Sequence, residues 1–212
     1  MGILKNGIMG NYRGRIGNLV FYVLNGKTVV RTIGKTTKPP TELQLKCRQE
    51  MSVVSSFLKH ITEFINVGFN LMAKYNNKHP FNMALSYNRK YALQGRYPDI
   101  GVNFKKVLVT EGSVLNAIDP FIESIPEGLK FSWSCPDSLN WSRPNDNVML
   151  LAYFPVLQKA EYVLYGAKRS AGSDILSLPA DLLNEYMEVY ISFVAEDRRG
   201  IANSTYLGSF ND

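Results

Sequence analysis

The sequence predicts an α+β chain in three parts: an N-terminal β-hairpin arm, a helical segment, and an immunoglobulin- or fibronectin-III-like β-sandwich. Three observations carry this prediction. Asn25-Gly26 joins two β-rich apolar runs. Apolar residues recur every three or four positions from Leu43 to Ile65. Beyond Tyr97-Pro-Asp-Ile-Gly101 the apolar period changes from helical to two. The expected ranges are 1–40 for a glycine-rich basic arm and hairpin, 41–100 for a long amphipathic helix and a shorter one, and 101–212 for the sandwich.

Asn-Gly between β-rich runs marks a two-residue hairpin, because the turn that suits the strand twist needs φ > 0 at both central residues. That loop length sets Leu24 against Lys27, Tyr22 against Val29, Phe21 against Val30 and Val20 against Arg31. One face then carries Leu19, Phe21, Val23 and Val30, and the other Val20, Tyr22, Leu24 and Val29. Both faces are apolar, whereas a hairpin wet on one side alternates apolar with polar. A lone two-stranded hairpin is marginal in water. The hairpin therefore needs cover, from the rest of its own chain or from a partner. Phe21, Tyr22, Val29 and Arg31 are the candidate partner-binding residues.

Ahead of the hairpin, Gly7, Gly10, Gly14 and Gly17 come every three or four residues. They suit a conformable arm laid on a partner, and equally a chain of tight turns and a bulge leading into the hairpin. Gly26-Lys27-Thr28 resembles the end of a P-loop, but the motif needs glycine at position 21, which is Phe21, and no helix follows. The glycine series lacks the spacing of a dinucleotide fingerprint, and no strand precedes it.

Thr41-Glu-Leu-Gln44 reads as a capping box opening a helix. Its stripe is Leu43, Cys47, Met51, Val54, Leu58, Ile61 and Ile65, with Gly68 ending or interrupting it. Pro80 can open a second helix, and Gly95 is its expected stop. In the last part, seven strands are expected: Phe104–Thr110, Leu129–Cys135, Val148–Phe154, Glu161–Tyr165, Asp174–Leu178, Met187–Ala195 and Asn203–Ser209. Seven short strands with turn residues between most of them are the pattern of a sandwich.

Apolar residues make up 45% of the chain and charged residues 20%, values of a globular protein. No apolar run is long enough to span a membrane. The N-terminus lacks the apolar core of a signal peptide, so cytoplasmic synthesis is expected, with incorporation into a virion or a secreted assembly as the onward route. Cys47 and Cys135 form no C-x-x-C; two buried thiols are expected, with one disulfide as the alternative.

Residues 1–100 carry 15 Lys and Arg against four acids, a net +11, while residues 101–212 carry nine against 14, a net −5. Opposite charge on two halves fits head-to-tail contact between copies, or nucleic acid at the basic half. Lys5, Arg13, Arg15, Lys27, Arg31, Lys35 and Lys38 fall in a stretch without Asp or Glu, with Tyr12, Phe21 and Tyr22 among them. They are the candidate contacts to an acidic protein surface or to nucleic acid.

These residues resemble a family of uncharacterised proteins of similar length, common in Bacteroidota genomes and often present in several copies. The pattern is carried by Gly10, Gly14-Arg15-Ile16-Gly17, Val20, Gly26-Lys27 and Val30-Arg31. It continues through Lys38-Pro39, Thr41, Gln44 and Arg48, then Ala84, Ser86, Tyr87 and Asn88, and closes with Asn203, Ser204, Tyr206 and Gly208. Glu42 directly follows Thr41 where the family often has a second proline. The resemblance implies the architecture above and no activity.

Catalytic chemistry is thin. Two histidines, His60 and His79, exclude a three-histidine zinc site. His60 and Glu63 would be half of a carboxylate-bridged metal pair whose second half is missing. Cys47 and His60 lie roughly 20 Å apart along one helix, too far for a dyad. No G-x-S-x-G occurs, and Ser170–Ser173 reads as a turn. Asp181, Glu185 and Glu188 read as a solvated face. The sequence thus predicts a non-enzymatic structural or assembly protein without cofactor, metal or small-molecule substrate. It would self-associate or dock into a phage-like or injection-machine-like assembly through its arm. The alternative is a basic accessory protein that binds nucleic acid without regard to sequence.

Overall fold

The computed structural model describes residues 13–24, 26–35, 37–135 and 145–211. It is a mixed α+β structure, and the chain divides into two compact units, 1–41 and 42–212.

In the first unit, β1 (Gly14–Ile16), β2 (Leu19–Leu24) and β3 (Lys27–Thr32) form an antiparallel sheet in the order β1-β2-β3. The β2–β3 register is the expected one, with Leu24 opposite Lys27, Tyr22 opposite Val29 and Val20 opposite Arg31. Gly26 takes φ 75°, the left-handed value the turn requires; Asn25 lies outside the described residues. Gly17, at φ 56°, turns the chain between β1 and β2, so the later glycines of the series make a second hairpin.

The second unit has three layers. The middle one is the sheet β12-β11-β8-β9, built from β8 (Asn147–Phe154), β9 (Lys159–Val163), β11 (Met187–Val194) and β12 (Thr205–Phe210). One face meets a second sheet, β10-β7-β6, made of β6 (Ile118–Ile125), β7 (Gly128–Ser134) and β10 (Ser173–Ser177). Phe131, Trp133, Leu150, Phe154, Val189, Ile191 and Phe193 fill that interface. The opposite face, with Leu151, Tyr153, Tyr190 and Val194, is covered by Phe57, Leu58, Ile61, Phe64 and Ile65 of the helices. Every residue of β11 is buried, as befits a strand covered on both sides. Helices and sheets thus share cores, and both cores are drawn from residues 42–212.

The helical layer comprises α1 (Glu42–His60), α2 (Thr62–Gly68), α3 (Asn70–Tyr75) and α4 (Pro80–Tyr91). The long stripe breaks at Ile61, with Thr62 Oγ1 donating back to the Lys59 carbonyl at 2.9 Å. Only its second half is buried: Leu43, Cys47 and Met51 are exposed. Pro80 opens α4, and His79 caps it by accepting from the Phe81 N–H. Gly95 does not stop α4; it lies in β4 (Leu93–Arg96), which pairs with β5 (Asp99–Val102). A Cβ at Gly95 would lie 2.1 Å from the Asp99 carbonyl oxygen, so the hairpin itself demands glycine.

Six of the expected strands are present, and Phe104–Thr110 is not one of them. Its backbone bonds go to side chains and loop groups rather than to a neighbouring strand. Asn88 donates to the Leu108 carbonyl at 2.8 Å and accepts from its N–H at 2.9 Å; Ser204 Oγ accepts from the Val109 N–H at 3.0 Å. The Glu111 N–H reaches the Gly68 carbonyl. A Cβ on Gly68 would lie 2.5 Å from the Val109 oxygen, so this glycine lets the belt pass. Beyond residue 102, the strand missing from the expectation is β6, which contains Pro120. Proline is admitted because β6 is an edge strand with a register break between Ile118 and Phe121. Cys47 is exposed and Cys135 partly so, and both are free thiols, which corrects the expectation that both are buried.

Candidate assembly surface

The arm brings the candidate partner-binding residues onto two chemically distinct faces. Strand alternation and register place Ile16, Leu19, Phe21, Val23 and Val30 on one face, together with Gly14, Thr28 and Thr32. No charge lies on it. Phe21 is 5% exposed, while Ile16, Val23 and Val30 are 53%, 44% and 49% exposed. The other face holds Val20, Tyr22, Leu24 and Val29, and here the cations gather. Arg15 and Arg31 flank Val20 from the two sides, and Lys27 stands beside Leu24. The Arg31 guanidinium lies 5.9 Å from the centre of the Tyr22 ring, a cation–π distance. Leu24 is 55% exposed. Apolar side chains therefore meet solvent on both faces.

The basic contacts do not converge on a point. Arg13, Arg15, Lys27, Arg31, Lys35 and Lys38 are all exposed, and Lys5 lies outside the described residues. Arg15 Nε donates to the Gly17 carbonyl at 3.1 Å, which holds its stem against the first turn. Sequence reasoning assigned both faces from periodicity. It missed β1, and with it the placement of Arg15 across from Arg31, because a three-residue strand of Gly-Arg-Ile carries no period.

In the second unit, several buried polar groups are bonded within the fold. Glu188 is buried on β11, accepting from the hydroxyls of Tyr186 and of Tyr206, the latter at 2.7 Å. This corrects the reading of Asp181, Glu185 and Glu188 as one solvated face: Glu188 points to the helical layer, and only Asp181 is fully exposed. Burial, and then the nearby Glu188 charge, push the Tyr190 and Tyr206 phenols above their ordinary range. Tyr190 donates to the Phe104 carbonyl at 2.8 Å. Glu63 accepts from Tyr162 at 2.9 Å, tying α2 to β9. Arg169 is buried between the sheets' ends, 3.7 Å from the Phe193 ring centre, donating to the Leu115 and Asn116 carbonyls. The Trp133 indole donates to the Arg169 carbonyl at 2.7 Å.

Among the described residues no group of three His, Cys, Asp or Glu is placed to hold a metal, and no helix is long and apolar enough to cross a membrane. A groove of about 510 Å³ runs between α1 and α4, lined by Glu50, Met51, Leu85 and Arg89 and with no histidine in its walls.

Exposed apolar side chains lie on the small basic sheet, Ile16, Val23, Leu24 and Val30, and also on the second unit, Leu43, Tyr75, Phe121 and Val156 among them. The molecule is thus an α+β protein with several buried polar groups bonded within its fold. It belongs to DUF6266, a family of unknown function, whose model matches residues 10–208. No curated protein and no solved structure matches the chain. Several residues of the pattern quoted above have legible structural roles. Asn88 and Ser204 hold the 107–112 belt, Asn203 accepts from the Gly112 N–H at 3.0 Å, and Tyr206 reaches Glu188.

Proposed function

We propose that this is a non-enzymatic structural protein that self-associates, or docks into a larger assembly, through its N-terminal arm and hairpin. The observation that carries the reading is the arm's uncovered apolar surface: Ile16, Val23 and Val30 on one face and Leu24 on the other. Burying such side chains is worth about 1.5–3 kcal/mol each when complete, and a partner can supply that cover. A chain that joins a basic arm to a larger α+β unit suits a component of a phage-like or injection-machine-like structure. On this reading the two facing sheets of the second unit are a fibronectin-III-like sandwich used for contact, carried by a Bacteroidota family, made in the cytoplasm and incorporated into the assembly. That step is analogy at the level of fold.

A second reading rests on the other face, where Arg15 and Arg31 flank Val20 beside the Tyr22 ring. Cations around an aromatic suit a phosphate backbone with a stacked base, bound without sequence preference. Gel filtration at two salt concentrations, monitored at 260 and 280 nm, separates the two. The assembly reading expects oligomers free of nucleic acid at both salts. Co-eluting nucleic acid at low salt that is lost at moderate salt would favour the second. A strict monomer without nucleic acid would sink both.

A further inference from the structure

We propose that two copies join edge to edge through β3, antiparallel about a twofold axis at Val30, to give one six-stranded sheet. The proposal rests on the assembly reading above and names the surface it uses. β3 is an edge strand with β2 as its neighbour on one side. The Ile33 N–H donates to the Asn18 carbonyl at 2.8 Å, which fixes the parity of the ladder. Residues 27, 29 and 31 therefore turn their backbone groups toward β2, and Thr28, Val30 and Thr32 turn theirs outward. Three consecutive outward N–H and C=O pairs form a template for another strand. The edge strand β6 is interrupted by Pro120 and a register break, and the β11–β12 ladder by a shift at Val189/Tyr190. β9 and β10 are unbroken edges but carry acidic side chains, Glu161 and Asp174. The β2–β3 ladder is unbroken, and β3 contains neither glycine nor proline.

The occupant follows from the strand's own sequence, Lys-Thr-Val-Val-Arg-Thr. Outward groups can pair only with outward groups, so the two residue numbers facing each other must both be even or both odd. Centring the pair on Val29 sets Lys27 against Arg31 at the close, non-hydrogen-bonded spacing of about 4.5 Å, where like charges repel. Centring it on Arg31 sets that arginine against its own mate. Centring it on Val30 pairs Thr28 with Thr32, Val30 with Val30 and Arg31 with Val29, so no cation faces another. All of the outward groups of Thr28, Val30 and Thr32 are then bonded. The same register makes the uncharged faces of the two arms continuous, with Val30, 49% exposed in the single chain, at the centre. Edge cations that ordinarily deter pairing here exclude the registers centred on Val29 and Arg31. Registers centred on Thr28 or Thr32 overlap too little of β3 to bond all three of its outward residues. Because both arms are cationic, association strengthens as salt screens them, the reverse of nucleic-acid binding.

Site-directed cross-linking tests this on the full chain with Cys47→Ser and Cys135→Ser. Facing residues at the axis have Cα atoms about 5.5 Å apart, within disulfide reach. Val30→Cys is expected to form a covalent dimer under mild oxidation. Thr28→Cys, roughly 13 Å from its mate, is expected to stay monomeric. An equimolar mixture of the Thr28→Cys and Thr32→Cys chains should cross-link as a heterodimer. Cross-linking equally efficient at 28 and 30, or absent at 30 while light scattering still shows oligomers, overturns the pairing and leaves arm-mediated assembly standing. A monomer by light scattering at all salts overturns the assembly reading itself. Raising salt from about 50 mM to 500 mM should increase the dimer fraction; a decrease contradicts the proposal.

Discussion

Asn88→Ala is the substitution whose cost the structure lets one work out most directly. Asn88 is buried on α4 and makes three side-chain hydrogen bonds: to the Ala84 carbonyl at 2.9 Å, to the Leu108 carbonyl at 2.8 Å, and from the Leu108 N–H at 2.9 Å. The Ala84 oxygen, as a helical carbonyl, keeps its backbone partner when the side chain goes. Leu108 loses the partners of both its N–H and its C=O. Each stranded backbone group costs about 1–3 kcal/mol; because Leu108 is half-buried and water can reach part of it, the lower part of that range applies. The expected loss is about 2–4 kcal/mol, a large share of a typical domain's stability of roughly 5–15 kcal/mol. Urea denaturation followed by circular dichroism should show a lower midpoint with an unchanged m-value. A loss below about 0.5 kcal/mol would refute the claim that this asparagine anchors the 107–112 belt.

The Glu188 cluster yields two further expectations. Tyr190 and Tyr206 have phenols raised above their ordinary pKa by burial, so the folded state holds these protons more tightly than the unfolded chain does. Their contribution is complete below the unfolded phenol value of about 10 and is lost as pH rises from there through the raised values, so melting temperature should fall above about pH 10; a flat profile to pH 11 would contradict the assignment. Tyr206→Phe deletes the 2.7 Å bond to a buried carboxylate and should cost about 1.5–3 kcal/mol in chemical denaturation, with self-association unchanged.

How far the sequence disclosed this structure depends on where each segment's hydrogen bonds go. The β2–β3 register was legible because a two-residue turn dictates the pairing, and β8 and β11 were legible as apolar runs. The belt at 107–112 misled, since its Val-Leu-Val alternates like a strand while its partners are the distant side chains of Asn88 and Ser204. β6 was hidden by Pro120, which is a breaker in a central strand and harmless at an edge. Burial of Glu188 was hidden too, because whether a strand is covered on one face or two is a property of layers, and the layer that covers it lies about 100 residues earlier in the chain. For the candidate surface, residue identities and faces were readable from periodicity. The exposure of Ile16, Val23, Leu24 and Val30 was not, since cover is decided by tertiary contact.

The central claim is that the arm, and not the three-layer unit, makes the protein assemble. Both apolar cores are built from residues 42–212, so a chain lacking residues 1–41 should fold. Static light scattering of the full chain and of residues 42–212, across one concentration series at moderate salt, tests the claim most directly. The full chain should rise to dimer or larger with concentration, and the truncated chain should stay at the monomer mass with its thermal unfolding intact. Equal association of the two, or a full chain that stays monomeric at the highest concentration, would contradict the account.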